Sequence, residues 1–229
     1  RLEGAGRLEV RWLASTVFLN RGDAWEARPL PDVAQLSPVF GLAVADADGD
    51  GREDLFLAQN WFGTDPLTPR QDAGRGLWLL GDGTGSFVAD LRSGVALYGD
   101  QRAAAVSDFD RDGRPDLVVT QNGGRTALYR NERALPGLRV ALRGAGANPT
   151  GVGASVRLVF GGNRAGPWRE VHLGAGYWSV DSATLVLARP EPPTAVEVRW
   201  PGGTVQRLDV PADARSVRID VSGGLIVVP

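Results

Sequence analysis

The chain has 229 residues, 43% hydrophobic and 23% charged, and no apolar run approaches the ~18 to 20 residues that a membrane helix needs. Its 25 basic and 27 acidic residues leave a net charge of -2, which excludes the basic field of a nucleic-acid-binding protein. Cysteine is absent, so disulfides, thiolate catalysis and thiolate metal sites are excluded too. The 31 Gly and 15 Pro carry no collagen period; they predict many short strands joined by tight turns, an all-β fold. The sequence starts at Arg1 and contains no Met, which predicts a leader or further region upstream. Every basic residue is Arg and none is Lys, a composition we read as the codon bias of a GC-rich bacterial genome.

In chain order, the first predicted strand runs through Val17, Phe18 and Leu19 into a turn at Asn20-Arg21-Gly22-Asp23. The Arg-Gly-Asp tripeptide falls where a hairpin turn calls for Gly and Asp, so we give it no adhesive role. A short apolar strand over residues 40–45 then leads into DADGDGREDLFLAQN at 46–60, and a second over 103–106 leads into DFDRDGRPDLVVTQN at 108–122. The two segments share 9 of 15 residues at an offset of 62, an internal repeat. Leu55-Phe56-Leu57-Ala58 and Leu117-Val118-Val119-Thr120 follow the acidic loops as buried strands. Strand-into-turn elements at Leu77–Gly81 and at Leu128-Tyr129-Arg130-Asn131 complete the series of strand, acidic loop, strand and hairpin.

After Pro136 the pattern changes to half-buried alternation. Val156, Leu158 and Phe160 oppose Arg157; Val196, Val198 and Trp200 oppose Glu197 and Arg199; Val217, Ile219 and Val221 oppose Arg218 and Asp220. Strands of this kind separated by Gly/Pro clusters predict a small β-sandwich over residues 137–222. Residues 223–229 are assigned as a C-terminal tail in which Leu225-Ile226-Val227-Val228 forms either a last strand or a docking segment.

The acidic loops carry the chemistry. Asp occupies positions 1, 3, 5 and 9 of each, with Gly at 6: Asp46, Asp48, Asp50 and Asp54 with Gly51, then Asp108, Asp110, Asp112 and Asp116 with Gly113. Four carboxylates this close repel one another unless a cation lies among them, and hard oxygen donors without His or Cys favour Ca2+. The carbonyls of Arg52 and Arg114 at position 7 are further candidate ligands, with their side chains facing solvent. An EF-hand would need Glu at position 12, where this chain has Leu57 or Val119. We therefore expect two structural Ca2+ sites. With a Kd of ~10⁻⁴ M and ~1 mM Ca2+, each contributes roughly 1.4 kcal/mol, whereas cytoplasmic Ca2+ would leave it empty. That arithmetic predicts a periplasmic, cell-surface or secreted location.

No enzymatic motif accompanies these loops. His172 is the single histidine and is assigned to an alternating strand with Val171 and Leu173; no Gly-x-Ser-x-Gly elbow exists. Four carboxylates on one tight loop are also unlike the separated pair of a glycosidase. Of the seven tryptophans, Trp61 with Phe62 is the pair expected to form an exposed contact patch.

The D-x-D-x-D-G-x-x-D loops followed by an apolar strand resemble the calcium loops of FG-GAP/VCBS repeats, the blades of integrin-α-like β-propellers. Residues 81–87, Gly-Asp-Gly-Thr-Gly-Ser-Phe, resemble the hairpin portion of the same repeats. The second region resembles the ASPIC/UnbV domain of cartilage-acidic-protein and UnbV-like chains, in residues 148–154 (NPTGVGA), 174–179 (GAGYWS) and 196–203 (VEVRWPGG). It departs from that pattern at Ser179-Val180 and at Ala188-Arg189-Pro190. The resemblance implies a partial propeller of two to three calcium-binding blades over residues 1–136, where the family has about seven, followed by a small β-sandwich. It further implies a non-enzymatic extracytoplasmic scaffold that binds protein partners, including subunits of a membrane-associated assembly. A lectin-like module gripping a glycan is the second reading, and a non-catalytic part of a larger secreted enzyme the third.

Overall fold

The computed structural model describes residue 6 and residues 8–228. Among these residues it is all-β, with seventeen strands in five sheets and two single-turn 3-10 segments. β1 (Thr16–Asn20) and β2 (Trp25–Pro29) form a hairpin. β3 (Val39–Ala45), β4 (Asp54–Gln59), β5 (Leu77–Gly81) and β6 (Phe87–Ala89) form a four-stranded antiparallel meander. β7 (Asp100–Ser107), β8 (Asp116–Asn122) and β9 (Ala127–Tyr129) repeat its first three strands. Among the described residues these sheets do not close into a barrel or a propeller.

β4 reads as a continuous apolar run because the meander is covered on both faces. On one face Phe56 and Ala58 pack with Trp78, Val95, Ala104 and Val119, joining the meander to the three-stranded sheet. On the other, Leu57 and Leu79 pack with Leu30 and Ala34 beneath the hairpin. β3 instead alternates: Ala43 and Ala45 are buried while Leu42 and Val44 are each 43% exposed.

The C-terminal region is a two-sheet sandwich. Its strands are β10 (Leu138–Arg143), β11 (Ser155–Val159), β12 (Arg169–Glu170), β13 (Leu185–Leu187), β14 (Ala195–Arg199), β15 (Val205–Asp209), β16 (Ser216–Asp220) and β17 (Leu225–Val227). One sheet has the order β13-β10-β16-β17, with β10 and β16 parallel; the other has the order β12-β11-β14-β15. Val140, Leu142, Val156, Val198, Trp200 and Ile219 from both sheets share one core, as their period-2 spacing requires.

Of the two readings left open for residues 225–227, the structure has the strand: β17 pairs antiparallel with β16. Two expectations change. β12 ends at Glu170, which leaves His172 in the exposed segment after it rather than in a strand. Trp61 and Phe62 are half-buried: Trp61 stacks on Phe40 at 5.0 Å between ring centroids with Arg102 over those two rings, and Arg70 lies over Phe62. The most exposed tryptophans are Trp12, Trp25 and Trp178.

Glycine is required where chains cross closely. A Cβ on Gly81, at the end of β5, would lie 2.2 Å from the Glu53 carbonyl oxygen, whereas one on Gly161 meets nothing within 4 Å. Gly81→Ala should therefore lower the urea midpoint substantially, by overpacking worth about 1–3 kcal/mol, and Gly161→Ala should leave it nearly unchanged. Equal midpoints for the two variants would refute this account of the β4–β5 contact.

Candidate metal centre

Both acidic loops occupy the same place in successive sheets. Asp46 follows the last residue of β3 and Asp54 opens β4; Asp108 follows β7 and Asp116 opens β8. Ala45 pairs with Asp54 and Ser107 with Asp116, so each loop is the closed end of an antiparallel pair. Gly51 and Gly113 have φ of 89° and 85°, the left-handed turn for which Gly is suited. Position 4 is left-handed as well, at Gly49 in one copy and at Arg111, with φ of 64°, in the other.

Backbone N–H groups converge on the first carboxylate of each loop. Gly49 and Asp50 donate to Asp46 Oδ1 at 2.7 and 3.0 Å, and Gly51 donates to Oδ2 at 2.7 Å. Asp112 and Gly113 donate to Asp108 at 2.9 and 3.0 Å. The position-9 carboxylates tie three strands together. Asp54 accepts from Ala47 N at 2.7 Å and from Gly81 N at 2.9 Å, while Asp116 accepts from Phe109 N at 3.1 Å and from Asn131 N at 2.8 Å.

Of the expected ligands, Asp46, Asp48 and Asp50 come together with one oxygen each within 4.8 Å of the others, as do Asp108, Asp110 and Asp116. Asp54 lies outside the first trio and Asp112 outside the second. Asp112 instead faces the guanidinium of Arg114 at 2.8 Å. The Arg114 side chain does not face solvent as expected: its Nε also donates to the Ala134 carbonyl at 2.6 Å. Arg52 keeps an exposed side chain and pairs with Asp50 at 2.7 Å.

The two copies differ in charge balance. In the second loop Arg130 Nε lies 2.6 Å from Asp110, and Arg139 Nε, on β10 of the sandwich, lies 2.8 Å from Asp108. No loop spacing announces these two arginines, since both come from later elements. In the first loop, burial pushes the Asp46 carboxyl up to about 6 and the Asp54 carboxyl up to about 7, from an ordinary 3.8. Burial also raises Asp116. An all-carboxylate trio on a tight turn, with buried acids that resist ionisation, is a donor set that fits a hard divalent cation. His172 has its Nδ1 3.5 Å from Glu170 Oε1, and among the described residues no helix is long and apolar enough to cross a membrane.

Fold and site thus define an all-β chain with a repeated acidic-loop region and a C-terminal two-sheet sandwich. Residues 144–224, 81 of the 229, match the family model described as ASPIC and UnbV, which spans the sandwich from the β10–β11 connection to the β16–β17 turn. No curated protein matches the chain.

The raised carboxyl pKa values fix a pH dependence. A carboxyl that holds its proton more tightly in the fold stabilises the fold below its unfolded pKa, near 3.8, and loses that contribution as pH rises through 6 to 7. In a chelator, the melting temperature should fall between about pH 5 and about pH 8, and Asp46→Asn should flatten that fall. A chelated protein whose melting temperature rises over this window would refute the assignment.

Proposed function

We propose that this chain is a non-enzymatic, calcium-binding interaction and scaffold module that works outside the cytoplasm. Its N-terminal sheets are FG-GAP/VCBS-type blades of an open propeller, and each acidic loop holds one structural Ca2+. The observation that carries this reading is the recurrence of one four-Asp loop at the same place in two successive sheets, with its first and last carboxylates buried and its position-5 and position-6 N–H groups donating to the first Asp in both copies. The match of residues 144–224 to the ASPIC and UnbV family supports it, because the sequence resemblance pairs that domain with calcium-binding repeats.

Asp46, Asp48 and Asp50 hold the first ion and Asp108, Asp110 and Asp116 the second, with the Arg52 and Arg114 carbonyls and the Asp54 and Asp112 carboxylates as the remaining candidate donors. The first loop is the tighter site, since an ion there meets one exposed arginine, Arg52 on Asp50, whereas an ion in the second must displace both Arg130 and Arg139 from its carboxylates. The metal adds charge balance and loop order and supplies no reactive group. Partners are proteins, including subunits of a membrane-associated assembly.

Calorimetric titration should give two unequal Ca2+ sites, with the tighter one lost in Asp48→Asn and the weaker one in Asp110→Asn. At ~1 mM Ca2+ the melting temperature should rise by roughly 3–10 °C over the chelated protein, and Mg2+ should not substitute. A melt unmoved by Ca2+ up to about 10 mM would overturn the reading.

A further inference from the structure

Between the acidic-loop sheets and the sandwich lies a cleft of about 430 Å³, within the roughly 300–1,000 Å³ range of ligand sites. Its apolar walls come from both regions: Leu42 and Val44 of β3 and Val106 of β7 on one side, Trp168, Leu185 and Val186 on the other. The exposed residues of β3 noted above are therefore one wall of a concave site rather than scattered surface.

The polar groups in this cleft are biased toward negative charge. Glu53 and Asp108 both line it, but each is matched: Glu53 pairs with both guanidinium arms of Arg169, and Asp108 pairs with Arg139. Glu170 pairs with His172, at 3.5 Å, and forms no ion pair with an arginine among the described residues. Asp181 accepts one hydrogen bond, from Val106 N at 2.7 Å, and forms no direct ion pair among the described residues, with Arg169 and His172 acting on it only from a distance. It is mostly desolvated, and burial raises its pKa. Because it lines the cleft, its carboxylate is a group that an entering cation would meet.

The apolar surface continues past the mouth. The segment 173–180 forms one lip, and on it Leu173 is 76% and Trp178 91% exposed, the latter held at a left-handed φ of 48°. An acidic cleft with apolar walls, next to a segment that exposes an aromatic and an aliphatic side chain, has the anatomy of a protein-binding hot spot, whose favoured anchors include Arg.

We infer that this cleft receives an arginine side chain from a partner protein, its alkyl stem against Leu42, Val44 and Val186 and its guanidinium at Asp181 and Glu170, with the partner's apolar flank on Trp178. The inference deepens the scaffold reading and rests on it for the class of partner, while the two carboxylates that would hold the guanidinium, Asp181 and Glu170, are not among the proposed Ca2+ ligands.

The test uses the full chain, ¹⁵N-labelled, titrated in Ca2+ with three peptides: acetyl-Leu-Arg-Leu-amide and its Gln and Glu counterparts. The Arg peptide should shift the amides of Leu42, Val106, His172 and Asp181 and bind at least about tenfold more tightly than the other two. Asp181→Asn keeps the acceptor for Val106 N and should lose about tenfold in affinity. Val44→Arg, which places a charge on the wall, should abolish binding while leaving the melting temperature close to wild type. Equal binding of the Glu peptide, shifts confined to other surfaces, or loss of the same signals through self-association without peptide would each overturn the assignment. Calcium titration of the same samples reads the metal proposal separately, so either can fail alone.

Discussion

Carboxylates crowded on a tight turn must be matched by positive charge, and that requirement organises much of this molecule. The turn supplies part of the match itself, by aiming successive N–H groups at Asp46 and Asp108. It then uses the position-9 carboxylate as a staple. Asp54 bridges the start of its loop to the end of β5, and Asp116 does the same for the residues after β9. Because these contacts are made at buried oxygens, each joins strands that would otherwise be held only by their ladders.

The same requirement couples the two halves of the chain. Arg139 reaches from β10 to Asp108, and Gly137 N donates to the Gly113 carbonyl at 2.8 Å, so the second loop is also the base on which the sandwich begins. Next to the first loop, Glu53 meets Arg169 across a sequence separation of 116. Two loops with the same Asp spacing thereby acquire different environments: arginines of later elements pair with two carboxylates of the second, while in the first burial suppresses ionisation most, at Asp46 and Asp54.

What was legible in the sequence is what local spacing controls. The repeat at 46–60 and 108–122 placed both loops and the strands around them, because alternating Asp, a left-handed Gly and an apolar run are decided within fifteen residues. Period-2 alternation likewise gave the core faces of β11, β14 and β16. The illegible parts are long-range. Nothing around Arg139 marks it as a partner of Asp108, and Asp181 has no motif at all. His172 was misassigned because Val171 and Leu173 mimic alternation, although only Val171 is buried. Trp61 was expected to be exposed because its stacking on Phe40, twenty-one residues earlier, depends on how β3 and β4 pair.

An open array of sheets leaves strand edges that could pair with other chains. β3 and β7 are both terminal in their sheets. The sandwich covers them with one segment: Ser182 N donates to the Val106 carbonyl at 3.0 Å, Asp181 accepts from Val106 N, and the Gly176 backbone lies against Leu42, where a Cβ would sit 3.7 Å from its carbonyl oxygen. The segment that carries the exposed Trp178 is thus the segment that shields both edges. Sheet region and sandwich are consequently unlike beads on a linker. The acidic region presents edges and charges that the sandwich satisfies, and in doing so the sandwich gains the second wall of the cleft.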